Sequence, residues 1–101
     1  MRSDQDQIAS IKKILRANKE ILRDRYRVKR IGLFGSYVRG DTHSGSDVDV
    51  LVEFSDTISL LKLVSLENYL TALIGIKIDV VPREDIRREL KDAILKEAVY
   101  L

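Results

Sequence analysis

Apolar residues Ile8, Ile11, Ile14, Leu15, Ile21 and Leu22 recur at three- and four-residue spacing, which predicts one amphipathic helix from Ser3, a suitable N-cap, to about Arg25. A β-prone run from Val28 to Phe34 follows and stops at Gly35 and Ser36, residues suited to a tight turn. Tyr37 to Arg39 can form one helical turn, and residues 40–46, GDTHSGS, are dense in loop formers. In the next segment, DVDVLVEF from Asp47 to Phe54, Val48, Val50 and Val52 share one face while Asp47, Asp49, Leu51 and Glu53 share the other, the alternation of a second strand. Residues 59–74, SLLKLVSLENYLTALI, suit a largely buried helix ended by a left-handed Gly75. Lys77 to Val81 is a short third strand closed by Pro82, after which Ile86, Leu90, Ala93, Ile94 and Ala98 mark an amphipathic terminal helix.

The order α-β-(short α)-β-α-β-α, without internal repeat or linker, predicts a single α+β domain over residues 1–101, a small mixed β-sheet flanked by helices. Charged residues make up 34% of the chain, above the roughly 25% of typical domains, which implies a highly charged surface. The charge is nearly balanced, 18 Lys and Arg against 16 Asp and Glu, so no strongly basic footprint for nucleic acid is expected. With no cysteine there is no disulfide framework, thiolate metal site or cysteine nucleophile. The first residues, MRSDQDQIASIKK, lack a continuous apolar core, and no run approaches the ~18 apolar residues of a membrane span; a cytoplasmic location without membrane contact is the expectation.

The candidate chemistry lies between Gly35 and Asp49 and at Asp79. Gly35 and Ser36 end a strand and open a helical turn, where backbone N–H groups and a hydroxyl can face a phosphate; alone, such a pair more often marks an ordinary turn. Asp47 and Asp49, two apart on a strand, project from the same face with Cα atoms roughly 6.5 Å apart. Two like charges there repel unless a cation or strong donors intervene, the alternative being a solvated strand end. Asp79 interrupts the apolar run Ile78, Val80, Val81, where a buried carboxylate would need a partner. Three carboxylates on adjoining strands make a hard oxygen site suited to Mg²⁺, and two such ions can clamp the attacking and leaving oxygens of a phosphoryl group. Asp79 can also accept the proton of an attacking hydroxyl. Arg39, one helical turn after Ser36, supplies a planar donor for phosphate, or else forms a surface ion pair.

The stretch GSYVRGDTHSGSDVDVLVEF, followed by IDVV, resembles the minimal nucleotidyltransferases (MNT) of the DNA polymerase beta superfamily, whose motif reads GSxxRG, SDxD and a later Asp. The resemblance extends over the chain, including the terminal ILKEAVYL, and implies a three- or four-stranded mixed sheet of the polymerase-beta-like nucleotidyltransferase fold. It implies that Asp47, Asp49 and Asp79 bind Mg²⁺, that Gly35 and Ser36 hold the triphosphate of ATP, that Arg39 assists near the nucleotide or the acceptor, and that Ser46 stands near the nucleotide. It also implies a partner, a HEPN-domain toxin with ribonuclease activity, which such proteins oppose as antitoxins, in some cases by transferring AMP from ATP to a toxin tyrosine. The loop departs from the usual form at Thr42, where alanine is common, and at Gly45, where a polar residue is common; all three aspartates are kept.

Two other readings stand beside this one: an antitoxin that blocks its toxin by binding alone, and a transferase acting on RNA or a small molecule. The latter is disfavoured by the lack of a second domain and by the charge balance. A domain this small offers one wall of a cleft, so a second protein or another copy of the chain is expected to complete the acceptor site. His43 lies in the loop without a neighbouring signal, Tyr26, Tyr37, Tyr69 and Tyr100 read as packing residues with a polar tip, and Arg83, Arg87, Arg88 and Lys91, interleaved with acids, read as a solvated face.

Overall fold

The computed structural model of the protein describes residues 4–40 and 47–101, with residues 4, 5, 36 and 37 described through their backbone. The expected N-cap Ser3 and the loop residues Thr42, His43, Gly45 and Ser46 lie outside the described residues. In chain order the elements are α1 (Asp4–Ala17), α2 (Lys19–Tyr26), β1 (Val28–Phe34), α3 (Ser36–Arg39), β2 (Val48–Phe54), α4 (Leu60–Ile74), β3 (Ile78–Pro82), a 3-10 turn (Arg83–Asp85), α5 (Arg88–Glu97) and β4 (Val99–Tyr100).

The predicted N-terminal helix is two helices, broken at Asn18. The Asn18 amide donates to the Ile14 carbonyl at 2.8 Å while its oxygen accepts from the Tyr69 hydroxyl at 3.1 Å, so the side chain competes for helix backbone and ties the break to α4. α2 ends at Arg27, held in the left-handed region at φ 60°. That conformation is costly for a residue with a Cβ, and here the Arg27 carbonyl is fixed by the Ser55 N–H at 2.8 Å.

The strands form one mixed sheet in the order β3-β2-β1-β4, with β2 and β3 parallel and the other pairs antiparallel. A parallel pair requires a crossover, and α4 is that crossover. Val48, Val50 and Val52 of β2, Ile31 and Leu33 of β1, and Ile78 and Val80 of β3 form the buried face, against Ile11 and Leu15 of α1, Leu22 and Tyr26 of α2, and Leu66 and Leu70 of α4. β3 is an outer strand whose outward N–H groups are covered by α4: Ile78 donates to Thr71 Oγ1 and Val80 to Glu67 Oε2, both at 3.0 Å.

The residue pattern predicts three strands and a terminal helix marked as far as Ala98; the resemblance allows a fourth strand, which residues beyond that helix supply. Val99 and Tyr100 pair with Leu33 and Gly32 of β1, and the Leu101 N–H donates to the Ile31 carbonyl at 2.9 Å. A β-carbon on Gly32 would stand 3.1 Å from Tyr100 Cδ1 and 3.2 Å from the Val99 carbonyl, so the close approach of β4 depends on glycine there. The Arg30 guanidinium stacks over the Tyr100 ring at 4.3 Å, closing this row on the second face of the sheet.

Leu70 of α4 is fully buried in the core cluster, where truncation leaves a cavity. Leu70→Ala is expected to cost about 2–5 kcal/mol of stability, read from urea unfolding followed by circular dichroism.

Candidate active site

Register places two of the expected carboxylates side by side. Asp49 of β2 is the in-register neighbour of Asp79 of β3 on one flank and of Phe34 of β1 on the other. The pairs before and after it, Val48 with Ile78 and Val50 with Val80, are buried in the helix-covered face. Strand alternation therefore directs Asp49 and Asp79 together from the opposite face. Asp49 is half-buried there and Asp79 exposed. The expectation that Asp79 would be buried is corrected: β3 is the outer strand, and its second face opens to solvent. Asp47 precedes the first residue of β2 rather than lying within it, half-buried, with Lys77 Nζ 3.9 Å from its Oδ2.

Gly35 turns the chain out of β1 into α3 with φ 86°, a conformation that glycine adopts without the Cβ penalty. Its absence of a side chain has a second use. A β-carbon built there would lie 2.9 Å from Asp49 Cγ, so the carboxylate rests directly on the Gly35 backbone. The Gly35 carbonyl starts α3 by accepting from the N–H groups of Val38 and Arg39 at 3.1 and 3.0 Å. Ser36 is the first residue of α3, so its backbone directly follows Gly35, on which Asp49 rests. Ser46, also expected here, lies outside the described residues.

Arg39 ends α3 and donates from Nη1 to Glu97 Oε1 of α5 at 2.8 Å. Sequence reading offered a phosphate donor or a surface ion pair for Arg39; an ion pair is present, and its carboxylate comes from an element that carried no expected site residue.

The charges converge on Asp49. Burial first, then the negative charges of Asp79 and Asp47, raise its pKa above the ordinary carboxylate value; Arg39 pulls it down and Glu97 adds to the rise. Among the described residues no three acidic, histidine or cysteine side chains already close around one point as a metal cage would. The donor set nevertheless fits a hard cation shared with phosphate: two carboxylates are adjacent on one face and a third lies two residues upstream. The raised Asp49 pKa reflects repulsion and burial that such a cation would relieve.

Glu97 and Lys77 were missed from the sequence. The β-prone Val99 and Tyr100 after a helical run were the available signal, since a terminal strand there fixes where α5 ends.

A family model described as a nucleotidyltransferase domain matches residues 11–101. A protein adenylyltransferase, MntA, of Thermococcus cleftensis is 45% identical over 94 residues, spanning 93% of this chain and 95% of that protein. A solved minimal nucleotidyltransferase superposes with a TM-score of 0.75 at 27% identity, over 99% of this chain and 97% of that one. A toxin–antitoxin complex solved with AMP-PNP superposes with a TM-score of 0.68 at 26% identity, over 81% of this chain and 67% of that one.

Two outcomes test the geometry. The native state holds the Asp49 proton more tightly than the unfolded chain does, so Asp49 stabilises the fold at low pH and that contribution is lost as pH rises through its raised pKa. Asp49→Asn is therefore expected to raise the melting temperature in metal-free buffer at neutral pH, and to flatten the fall in stability between the ordinary carboxylate pKa and the raised one. Gly35→Ala forces both an unfavourable φ and a clash with Asp49, and is expected to lower stability by at least about 1–2 kcal/mol in the same thermal assay.

Proposed function

The chain belongs to the nucleotidyltransferase-domain family, and from that premise we propose that it transfers AMP from ATP to a tyrosine hydroxyl of a HEPN-domain toxin, for which it is the antitoxin. The observation that carries the reading is the in-register pair Asp49 and Asp79 resting beside the Gly35 turn. The 45% identity to a named protein adenylyltransferase supports the AMP transfer, and the similarity to a toxin–antitoxin complex holding AMP-PNP supports both the nucleotide and the kind of partner.

In this reading Asp47, Asp49 and Asp79 hold Mg²⁺, and the backbone of Gly35 and Ser36 takes the triphosphate at the opening of α3. Bound Mg²⁺ supplies charge neutralisation for the carboxylates and the triphosphate oxygens. Ser46, next to Asp47 in sequence, is assigned to the same nucleotide site. Arg39 orients beside Asp49 and stabilises negative charge on the nucleotide. The acceptor oxygen bonds to the α-phosphorus as the bond to pyrophosphate breaks, and its proton passes to Asp79. Asp79 is suited to that role because, unlike Asp49, it is exposed on an outer strand where another protein's hydroxyl can reach it. The chain supplies one wall of the cleft and the toxin the other.

The test is incubation with α-labelled ATP, Mg²⁺ and a HEPN-domain toxin from the same genome. Label is expected on a toxin tyrosine, with Asp49→Asn and Asp79→Asn each reducing the rate at least ~100-fold. An unlabelled toxin whose ribonuclease activity is silenced equally well by the Asp47→Asn, Asp49→Asn double variant would replace transfer by inhibition through binding.

A further inference from the structure

Glu97 lies 58 residues from Arg39 in sequence, outside every motif that points to the site, and still meets its guanidinium at 2.8 Å. Three features bring it there. The pairing of Val99 and Tyr100 with β1 fixes the end of α5, because Glu97 is only two residues before Val99. β1 in turn ends at Phe34, the neighbour of Asp49, so the end of α5 is set against the strand that leads into Gly35 and α3. Gly32 admits that approach by having no side chain where the Val99 carbonyl and the Tyr100 ring pass.

The pair is not accounted for by stability. The Arg39 side chain is 53% exposed and that of Glu97 23%, a setting in which an ion pair contributes little to folding. The negative charge of Glu97 also adds to the repulsion at Asp49, an unfavourable contribution. That cost at Asp49 is one that a purely structural pair could avoid by standing elsewhere. What Glu97 does supply is orientation. Arg39 ends a helix of four residues, too short to restrain a long flexible side chain, and a charge-assisted hydrogen bond from one arm sets the plane of the whole guanidinium.

We propose that Glu97 is a positioning residue of the nucleotide site, holding the Arg39 guanidinium in the orientation that receives the triphosphate of a nucleoside triphosphate. This rests on the assignment of the site as nucleotide-binding, though not on protein adenylylation as the outcome. It makes the C-terminal α5–β4 segment part of the active site and not only a cover for the sheet.

The deciding experiment is a double-variant cycle on the full chain with two readouts: affinity for AMP-PNP in the presence of Mg²⁺ by calorimetry, and rate of label transfer to the toxin. Glu97→Ala is expected to weaken AMP-PNP binding about tenfold with a melting temperature close to that of the unaltered protein, and Glu97→Gln, which keeps an acceptor for Arg39, to recover most of the loss. In an Arg39→Ala background, Glu97→Ala is expected to have no further effect. An equal loss in that background, or no loss in the Arg39 background, overturns the proposal, because Glu97 would then act independently of Arg39 or not at all. A chain that binds AMP-PNP but labels no toxin overturns the adenylylation reading alone, and the binding cycle still decides the role of Glu97. A chain that binds no AMP-PNP overturns both.

Discussion

Asp49 and Asp79 are in-register neighbours on parallel strands, and the rest of the architecture can be read as what makes that apposition tolerable. Two carboxylates on adjacent strands repel, and one of them is half-buried, so the pair opposes the pairing that creates it. The opposing force is on the other face. Val48 and Val50 of β2 and Ile78 and Val80 of β3 are buried on both sides of the acidic pair, and α4 clamps the outer strand through Thr71 and Glu67. Because alternate residues go to opposite faces, a slip of one residue would bury the acids and expose the valines. Burial of the apolar face thereby fixes the position of the charged one, and an unfavourable local arrangement is maintained by favourable packing around it.

Gly35 shows the same economy at smaller scale. Its left-handed φ makes the turn from β1 to α3, and its bare Cα lets the Asp49 carboxylate lie against the backbone. One residue thus sets both the direction of the chain and the distance between the acid and the first turn of α3, which is why either alanine's backbone preference or its methyl group would disturb both at once.

Much of this was legible in the chain because it rests on local periodicity. The alternation that puts Val48, Val50 and Val52 on one face and Asp49, Leu51 and Glu53 on the other is visible without knowing any partner strand, and the Gly35–Ser36 stop and the Gly75 cap mark their own elements. The parts that were not legible depend on distant residues. Ile21 and Leu22 continue the helical spacing of Ile14 and Leu15 across Asn18, so nothing in the pattern shows a break that Tyr69, 51 residues away, helps to hold. Two β-prone residues give only a faint signal, and β4 forms because β1 offers it an edge and Gly32 a gap beside it. The exposure of Asp79 follows from strand order, which puts β3 outside. The Arg39–Glu97 pair follows from β4 and inherits its invisibility.

The same geometry bears on where an acceptor hydroxyl must come from. Tyr26 is buried in the cluster that fills the helix-covered face, and its ring packs 5.4 Å from that of Tyr69. Tyr69 donates its hydroxyl proton to Asn18, again on the side away from Asp49. Tyr100 lies against Gly32 under the Arg30 guanidinium, its ring engaged in holding the last strand. These three are occupied in keeping the fold, and freeing any of them would loosen either the core or the strand that carries α5 to the site. Asp79 meanwhile stands exposed on an outer strand with no wall opposite it among the described residues. On the proposed reading, a domain that commits these three tyrosines to packing and leaves Asp79 exposed takes its acceptor hydroxyl from another molecule.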